Sequence, residues 1–388
     1  MGEKGSICSA RGPFRKRNWT RRALILAGIA ALFTILMASV AVGALGWTTT
    51  RLTDNVVYEG GAEIDGDYVV WRGDDADDGT VEIFLYDGRT TRQLTDTPED
   101  EGYPDLDKGW VVWAGYDGNG SDSEIFLYHA GRTLQITDND YADFGPTVSG
   151  KDVAWIGDKE IYLYRHGSIQ QITDDGLPKW GPPLIDDGQV MWVAWDGSDR
   201  DSTEIFFYDG TSVLQLTDNN VPDGIGADQR RANDLGDGQV VWQSGWASQA
   251  EILLYDAKAG LTNQVSANDI WDTEPQVSKG VVVWQGTTAD SSEIFMYDSK
   301  SGVETQLTDD SSGDYSPQIA KGHVAWIHLG GISAAITYSV MSWRGGSTQT
   351  VWSADPNNRV VEVRADKHGL VWLSDMGTGT YNDVFMAR

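Results

Sequence analysis

Cysteine is nearly absent from the sequence, Cys8 being the only one. A single thiol excludes an intrachain disulfide and any thiolate metal cluster. Packing alone must therefore stabilise the fold. Histidine is scarce as well. His129, His166, His323, His328 and His368 fall in different stretches of the chain, which argues against a histidine metal cage. No G-x-S-x-G nucleophile elbow occurs, so that route to hydrolase chemistry is missing. Basic residues are few: 29 Lys and Arg face 58 Asp and Glu, a formal net charge of -29. Such a surface repels phosphates and argues against nucleic acid as a partner. It attracts cations and basic partners, and it also serves simply to keep a β-rich chain soluble.

Long apolar runs are missing with one exception. Residues 23–46 form 24 consecutive uncharged residues, and roughly 20 helical residues cross a bilayer core. Six Arg and Lys lie between Arg11 and Arg22, and Trp47 follows the run. The positive-inside rule then makes residues 1–22 a basic cytoplasmic segment, residues 23–46 a transmembrane signal anchor and residues 48–388 an external domain. A cleaved signal peptide competes with this reading, because small residues near Ala41 to Ala44 would permit cleavage. Its apolar core usually spans about 7–15 residues, shorter than the run here. Thr20-Arg21-Arg22-Ala23-Leu24 faintly resembles a twin-arginine export signal. All three readings carry residues 48–388 out of the cytoplasm. Those residues hold 22 basic and 57 acidic side chains, a net of -35.

What the chain has in abundance is repetition. A small apolar triplet ends in Trp71, Trp113, Trp155, Trp192, Trp242, Trp284, Trp326 and Trp372, at steps of 42, 42, 37, 50, 42, 42 and 46. A second motif follows each: EIFLYD from Glu82, with kin at Glu124, Glu160, Glu204, Glu251 and Glu293, a degenerate AITYSV from Ala335, and DVFMAR from Asp383. A third, RLTD or QLTD, centres on Leu52, Leu94, Ile136, Ile172, Leu216 and Leu307, with weaker copies at Val265 and Val351. Valine, isoleucine and aromatic residues bounded by Asp, Gly, Asn and Ser read as short strands and turns. With one more strand before each Trp, the unit has four strands, a to d, in about 40–45 residues, the size of a propeller blade. A sandwich array or a linear solenoid would show the same strands. The chain ends favour a ring. The last unit stops at its c strand, and an orphan d strand stands near Thr49–Asp54. Pairing the two completes an eighth blade and removes two sheet edges. The expected fold is an all-β, eight-bladed propeller closed by its N-terminal strand.

These units resemble the propeller repeats of the TolB family and related WD-type repeats. The stretch from Gly120, GSDSEIFLYHAGRTLQITDND, shows the matching elements together. The resemblance covers about residues 48–388 and implies a propeller in an exported protein serving contacts at the cell envelope. The family's namesake has six blades and a separate α/β domain, whereas eight units occur here.

Alternating strand direction sends the b–c and d–a loops to one face of the disc and the a–b and c–d loops to the other. The first set is rich in acid, including Asp96, Glu99, Asp100, Glu101, Asp138, Asp140, Asp143, Asp309, Asp310 and Asp314. The second mixes acids with Arg89, Arg132, Lys151, Lys258 and Lys300. With an anchoring helix retained, the balanced face is expected against the bilayer and the acidic face toward a partner. Asp117, Asn119, Ser121 and Asp122 space oxygen ligands as hard-cation loops do, and Asp196, Asp199 and Asp201 form a looser version. These are the candidate Ca2+ ligands, although the same residue types make plain tight turns. The Glu that opens six c strands recurs too regularly for catalysis and reads as structural. The eight motif tryptophans read as packing between blades. Trp180 and Trp271 break the repeat and are expected in d–a loops at the mouth of the axial channel. The leading functional reading is a non-catalytic module binding a protein or glycan on the acidic face. The rivals are a glycan lyase or hydrolase using carboxylates of the central funnel, and a structural surface protein whose acids hold divalent cations.

Overall fold

The computed structural model describes residues 46–388 except 56, 76–78, 117–121, 196–201, 226–231, 246–248, 333–334, 355, 357 and 376–381. The expected membrane anchor lies outside the described residues apart from its last position. Among the described residues no helix is long and apolar enough to cross a membrane.

Thr48–Arg388 forms one unit made of eight four-stranded antiparallel sheets. In seven of them the strands are consecutive in the chain. Blade three is representative: a is Asp143–Ser149, b Asp152–Gly157, c Glu160–Arg165 and d Ser168–Gln171. Burial follows position. Strand b (DVAWIG) is buried at every residue, because blades cover both of its faces, and its sequence is accordingly almost continuously apolar. Strand d (SIQQ) is exposed throughout. It is the outer edge, where polar side chains discourage pairing with another chain.

Each motif tryptophan packs against the preceding blade, as the repeat predicts. Trp113 lies against Ile83 and Leu85, and Trp155 against Val112, Ile125 and Leu127. Six of them, all but Trp242 and Trp326, also stack on a ring of their own c strand, as Trp155 does on Tyr162 at 5.7 Å and Trp192 on Phe206 at 5.8 Å. The threonine of QLTD has an equally regular task. Its hydroxyl accepts the backbone N–H of the residue after the c-strand acid: Ile83 to Thr95 and Ile125 to Thr137 at 2.8 Å, Ile161 to Thr173 at 2.9 Å. Buried N–H groups require such partners.

The ring closes as expected. Thr49–Arg51 pairs with the C-terminal strand, Thr49 opposite Ala387 and Arg51 opposite Phe385. Leu52 N–H donates to the Val384 carbonyl at 2.8 Å, and Thr53 Oγ1 accepts from Val384 N at 2.8 Å. Thr53 thus does for blade eight, across the seam, what its counterparts do within one continuous segment.

The a–b turns tie neighbouring blades on the other face. Asp65 accepts from Lys108 N at 2.6 Å, Asp107 from Gly150 N at 2.5 Å and Asp186 from Asp237 N at 2.7 Å. Asp366 accepts from Gly66 N at 2.5 Å, carrying the same tie from blade eight to blade one. Several acids of the balanced face are therefore consumed as bolts between blades.

Candidate functional site: the axial cavity and the acidic face

The a strands form the inner wall. Most carry a bulge: register shifts between Gly60 and Glu63, between Phe144 and Thr147, and between Thr273 and Gln276. The bulge turns the strand, and a residue with positive φ stands in it, such as Gly61 or Gly145 at 60°. Immediately after it, each blade contributes one side chain to a ring: Glu63, Asp105, Thr147, Leu184, Asp234, Gln276, Gln318 and Arg364. Each lies eight residues before its motif tryptophan. All eight line a cavity of about 510 Å³ on the axis.

The ring is polar but largely self-satisfied. Arg364 Nε donates to Glu63 Oε1 at 3.0 Å, joining blades eight and one. Asp105 Oδ2 accepts from Val148 N at 2.7 Å and Asp234 Oδ2 from Val277 N at 2.8 Å, each in the next blade. Burial pushes the Glu63 carboxyl up to about 7, with the Arg364 charge opposing, and pushes Asp234 up to about 6. Tyr103 and Phe144 also line the cavity; both are exposed, and the Arg72 guanidinium sits 3.5 Å from the centroid of the Tyr103 ring.

The repeated c-strand glutamates are structural. Glu82 accepts from Thr97 N at 2.9 Å, Glu124 from Asn139 N at 3.1 Å and Glu160 from Gly176 N at 2.6 Å. Each buried carboxylate thereby folds the d–a loop over its own blade. A second acid, at the start of strand a, accepts the tryptophan indole N–H: Asp143 from Trp155 at 2.9 Å, Asp272 from Trp284 at 2.9 Å. Glu101, Asp143 and Asp314 were expected on the acidic surface, and the structure corrects this. All three are buried, because the inner end of the d–a segment dives between blades. The exposed acids of that face include the loop residues Asp96, Glu99, Asp100, Asp138, Asp140, Asp174, Asp218, Asp309 and Asp310.

Of the candidate Ca2+ ligands, Asp117, Asn119, Ser121, Asp196, Asp199 and Asp201 lie outside the described residues. Asp122 is described. It is half-buried, and its Oδ2 has no hydrogen-bond partner among the described residues. Trp180 and Trp271 are not loop residues. They fall in the a strands Lys179–Asp186 and Trp271–Ser278. Trp180 packs edge-on against Trp195 at 5.1 Å, and Trp271 is exposed. The axial ring escaped the sequence reading. Its constant spacing before each tryptophan was the available signal, but its residue types vary from blade to blade.

No family model matches the chain, and no curated protein matches it. Solved structures do match. The β-propeller domain of the Trilobed protease from Pyrococcus furiosus aligns at 9% identity and a TM-score of 0.51, over 77% of this chain and 97% of that one. A puromycin-hydrolyzing peptidase of Mycobacterium tuberculosis aligns at 14% identity and a TM-score of 0.53, over 82% of this chain and 57% of its own. An acylaminoacyl peptidase of Pyrococcus horikoshii gives 9% and 0.52, with the same 82% and 57%. The chain spans little more than half the length of those two peptidases. At such identities the likeness shows the propeller fold alone. The Pyrococcus furiosus domain has an open velcro topology, whereas here the first strand pairs with the last. The resemblance to TolB-type repeats holds at the level of the propeller, and no family model carries it further.

Proposed function

We propose that this chain is a non-catalytic binding module that takes a basic protein or a glycan on its acidic face, around the mouth of the axial cavity. One observation carries the reading. The carboxylates of the axial ring already have partners, Glu63 with Arg364, Asp105 with Val148 N and Asp234 with Val277 N. The acids that remain exposed belong to the d–a loops above them. A face of exposed negative charge beside a cavity with aromatic side chains suits recognition of a basic or hydroxyl-rich surface. The basic residues Arg89, Arg132, Lys151 and Lys300 are exposed on the opposite face, so the disc is electrically two-sided.

The test is an array of glycans and of basic and acidic peptides probed with the full-length chain. The expected result is a ligand lost on Asp100→Lys plus Asp140→Lys and retained on Lys151→Glu plus Lys300→Glu. Binding indifferent to the first pair overturns the reading.

One observation favours a glycan-active enzyme instead: Glu63 and Asp234 share the cavity with their carboxyls raised toward neutrality. On that reading a polysaccharide panel shows turnover that Glu63→Gln abolishes. The third reading, a cation-binding surface protein, rests on the spacing of oxygen-bearing residues from Asp117 to Asp122 in the sequence and requires a Ca2+-dependent rise in Tm that Asp122→Ala removes. The proposal also includes location outside the cytoplasm, held to the membrane through residues 23–46. Protease added to intact cells should then digest the propeller and spare residues 1–22.

A further inference from the structure

Blade seven breaks the repeat at two positions, and both meet the buried acid of strand a. In blades three, five and six the buried acid that accepts the tryptophan indole N–H is capped by an asparagine four residues earlier. Asn139 Nδ2 donates to Asp143 Oδ2 at 2.7 Å, Asn219 to Asp223 at 2.8 Å and Asn268 to Asp272 at 2.9 Å. Blade seven keeps the acid, Asp314, and places Asp310 where the asparagine stood. The amide donor is replaced by a second carboxylate. Asp314 is 1% exposed; its Oδ1 accepts from Trp326 Nε1 at 2.7 Å, and its Oδ2 has no hydrogen-bond partner among the described residues.

The second change stands on strand b. Two residues after its tryptophan, blade three has Gly157 and blade six Gly286, opposite the buried acid. Side chains are kept out there for a steric reason: a Cβ on Gly157 would lie 2.2 Å from Asp143 Oδ1. Blade seven has His328 opposite Asp314, with Nδ1 2.8 Å from Asp314 Oδ1. One atom each of Asp310, Asp314 and His328 lies within 4.8 Å of the others.

A buried carboxylate that loses a donor and gains a like charge is costly unless a cation joins it. Blade four shows how the fold handles that problem differently. It too has an acid at the asparagine position, Asp175, but Lys179 replaces the buried acid, and its ammonium lies 2.6 Å from Asp175. Blade seven has no such lysine. We propose that Asp310, Asp314 and His328 bind one first-row transition-metal dication, of the class of Zn2+. The metal takes the place of the hydrogen bond that now joins His328 Nδ1 and Asp314 Oδ1. The imidazole selects such an ion over Ca2+ or Mg2+, which prefer all-oxygen shells. Zinc–ligand bonds of about 2.0–2.2 Å require the exposed Asp310 side chain to turn inward and the 2.8 Å contact between His328 Nδ1 and Asp314 Oδ1 to widen. Three protein ligands leave a coordination position open to solvent on the acidic face.

The test is calorimetric titration of the full-length chain with ZnCl2 in excess Ca2+. One-to-one binding and a Zn2+-dependent rise in Tm are expected. Asp310→Asn and His328→Gly restore the residues of the sister blades, so both variants should fold. Each is expected to weaken Zn2+ binding by about tenfold or more. Should His328→Gly fail to melt cooperatively, His328→Gln gives the same reading without the glycine. Equal Zn2+ affinity in wild type and variants overturns the proposal. So does the lack of one-to-one binding in a cooperatively folded wild type.

Discussion

The indole N–H of Trp284 reaches Asp272 Oδ1 at 2.9 Å, and both side chains are buried between blades five and six. Trp155 with Asp143, Trp242 with Asp223 and Trp326 with Asp314 repeat the contact. An indole can be buried whole when its one polar atom is satisfied. In these four blades the motif tryptophan and the acid, twelve residues before it in three and nineteen in blade five, are therefore one device, an apolar wedge with its own polar latch.

Removing either half should show this. Trp284→Ala is expected to cost about 3–5 kcal/mol through the cavity it leaves. Asp272→Ala should cost about 1–3 kcal/mol by stranding the indole N–H and the Asn268 amide. The double variant should cost less than the sum, because the two groups share one contact. Urea unfolding monitored by tryptophan fluorescence measures all three.

The seam between the chain ends supports a second prediction. Deleting residues 1–54 removes the strand that pairs with Asp383–Ala387, together with the Arg51–Asp383 ion pair at 2.5 Å. The exposed c-strand edge should lower Tm and promote association through edge pairing. Thr48 N and the Arg388 carbonyl are 2.8 Å apart, so a short turn can join Arg388 to a relocated Thr48–Asp54 segment. That permutant should recover the lost Tm in a melting curve.

Stability should fall as pH rises toward the alkaline side. Burial, with the nearby charges of Asp383 and Asp74, pushes the Glu59 carboxyl from 4.5 up to about 8. Burial likewise raises Glu101 to about 7 and Asp272 to about 6. A raised carboxyl means the folded chain holds protons that the unfolded chain has released. The stabilisation is complete below the unfolded value and is lost as pH climbs through the folded one. Urea midpoints should decline between about pH 5 and about pH 9, and Glu59→Gln should flatten part of that slope.

Blade four offers a charge-swap experiment. The Lys179 side chain is buried, with its ammonium 2.6 Å from Asp175 and 3.8 Å from Glu160. Lys179→Asp alone should destabilise by about 3–5 kcal/mol, because it leaves acids without a counter-charge. Adding Asp175→Asn recreates the asparagine–aspartate pair of blades three, five and six. The double variant should regain most of the loss, and Trp192 Nε1, which has no partner, gains one. Chemical denaturation of the four chains of the cycle decides the matter.

Much of the architecture was legible before any coordinates. The Trp, EIFLYD and QLTD motifs recur because every blade meets the same neighbours, so each strand repeats the same burial pattern. Closure was legible too, since a d strand without a blade and a blade without a d strand stood at opposite ends. The site was legible only in part. Acid-rich loops announced a negative face, but composition could not separate exposed Asp100 from its neighbour Glu101, which is buried. That difference depends on where the d–a segment turns inward.

The order of strands, the blade number and the N-to-C seam were thus set by local patterns read along the chain, since burial on both faces of a strand imposes its own periodicity. Tertiary structure alone decided which polar groups meet across blades. Arg364 faces Glu63 across the seam of the ring, and His328 meets Asp310 and Asp314 in blade seven. Such meetings join residues with no shared motif, because the a-strand bulge and the d–a turn, rather than sequence spacing, aim their side chains at one another.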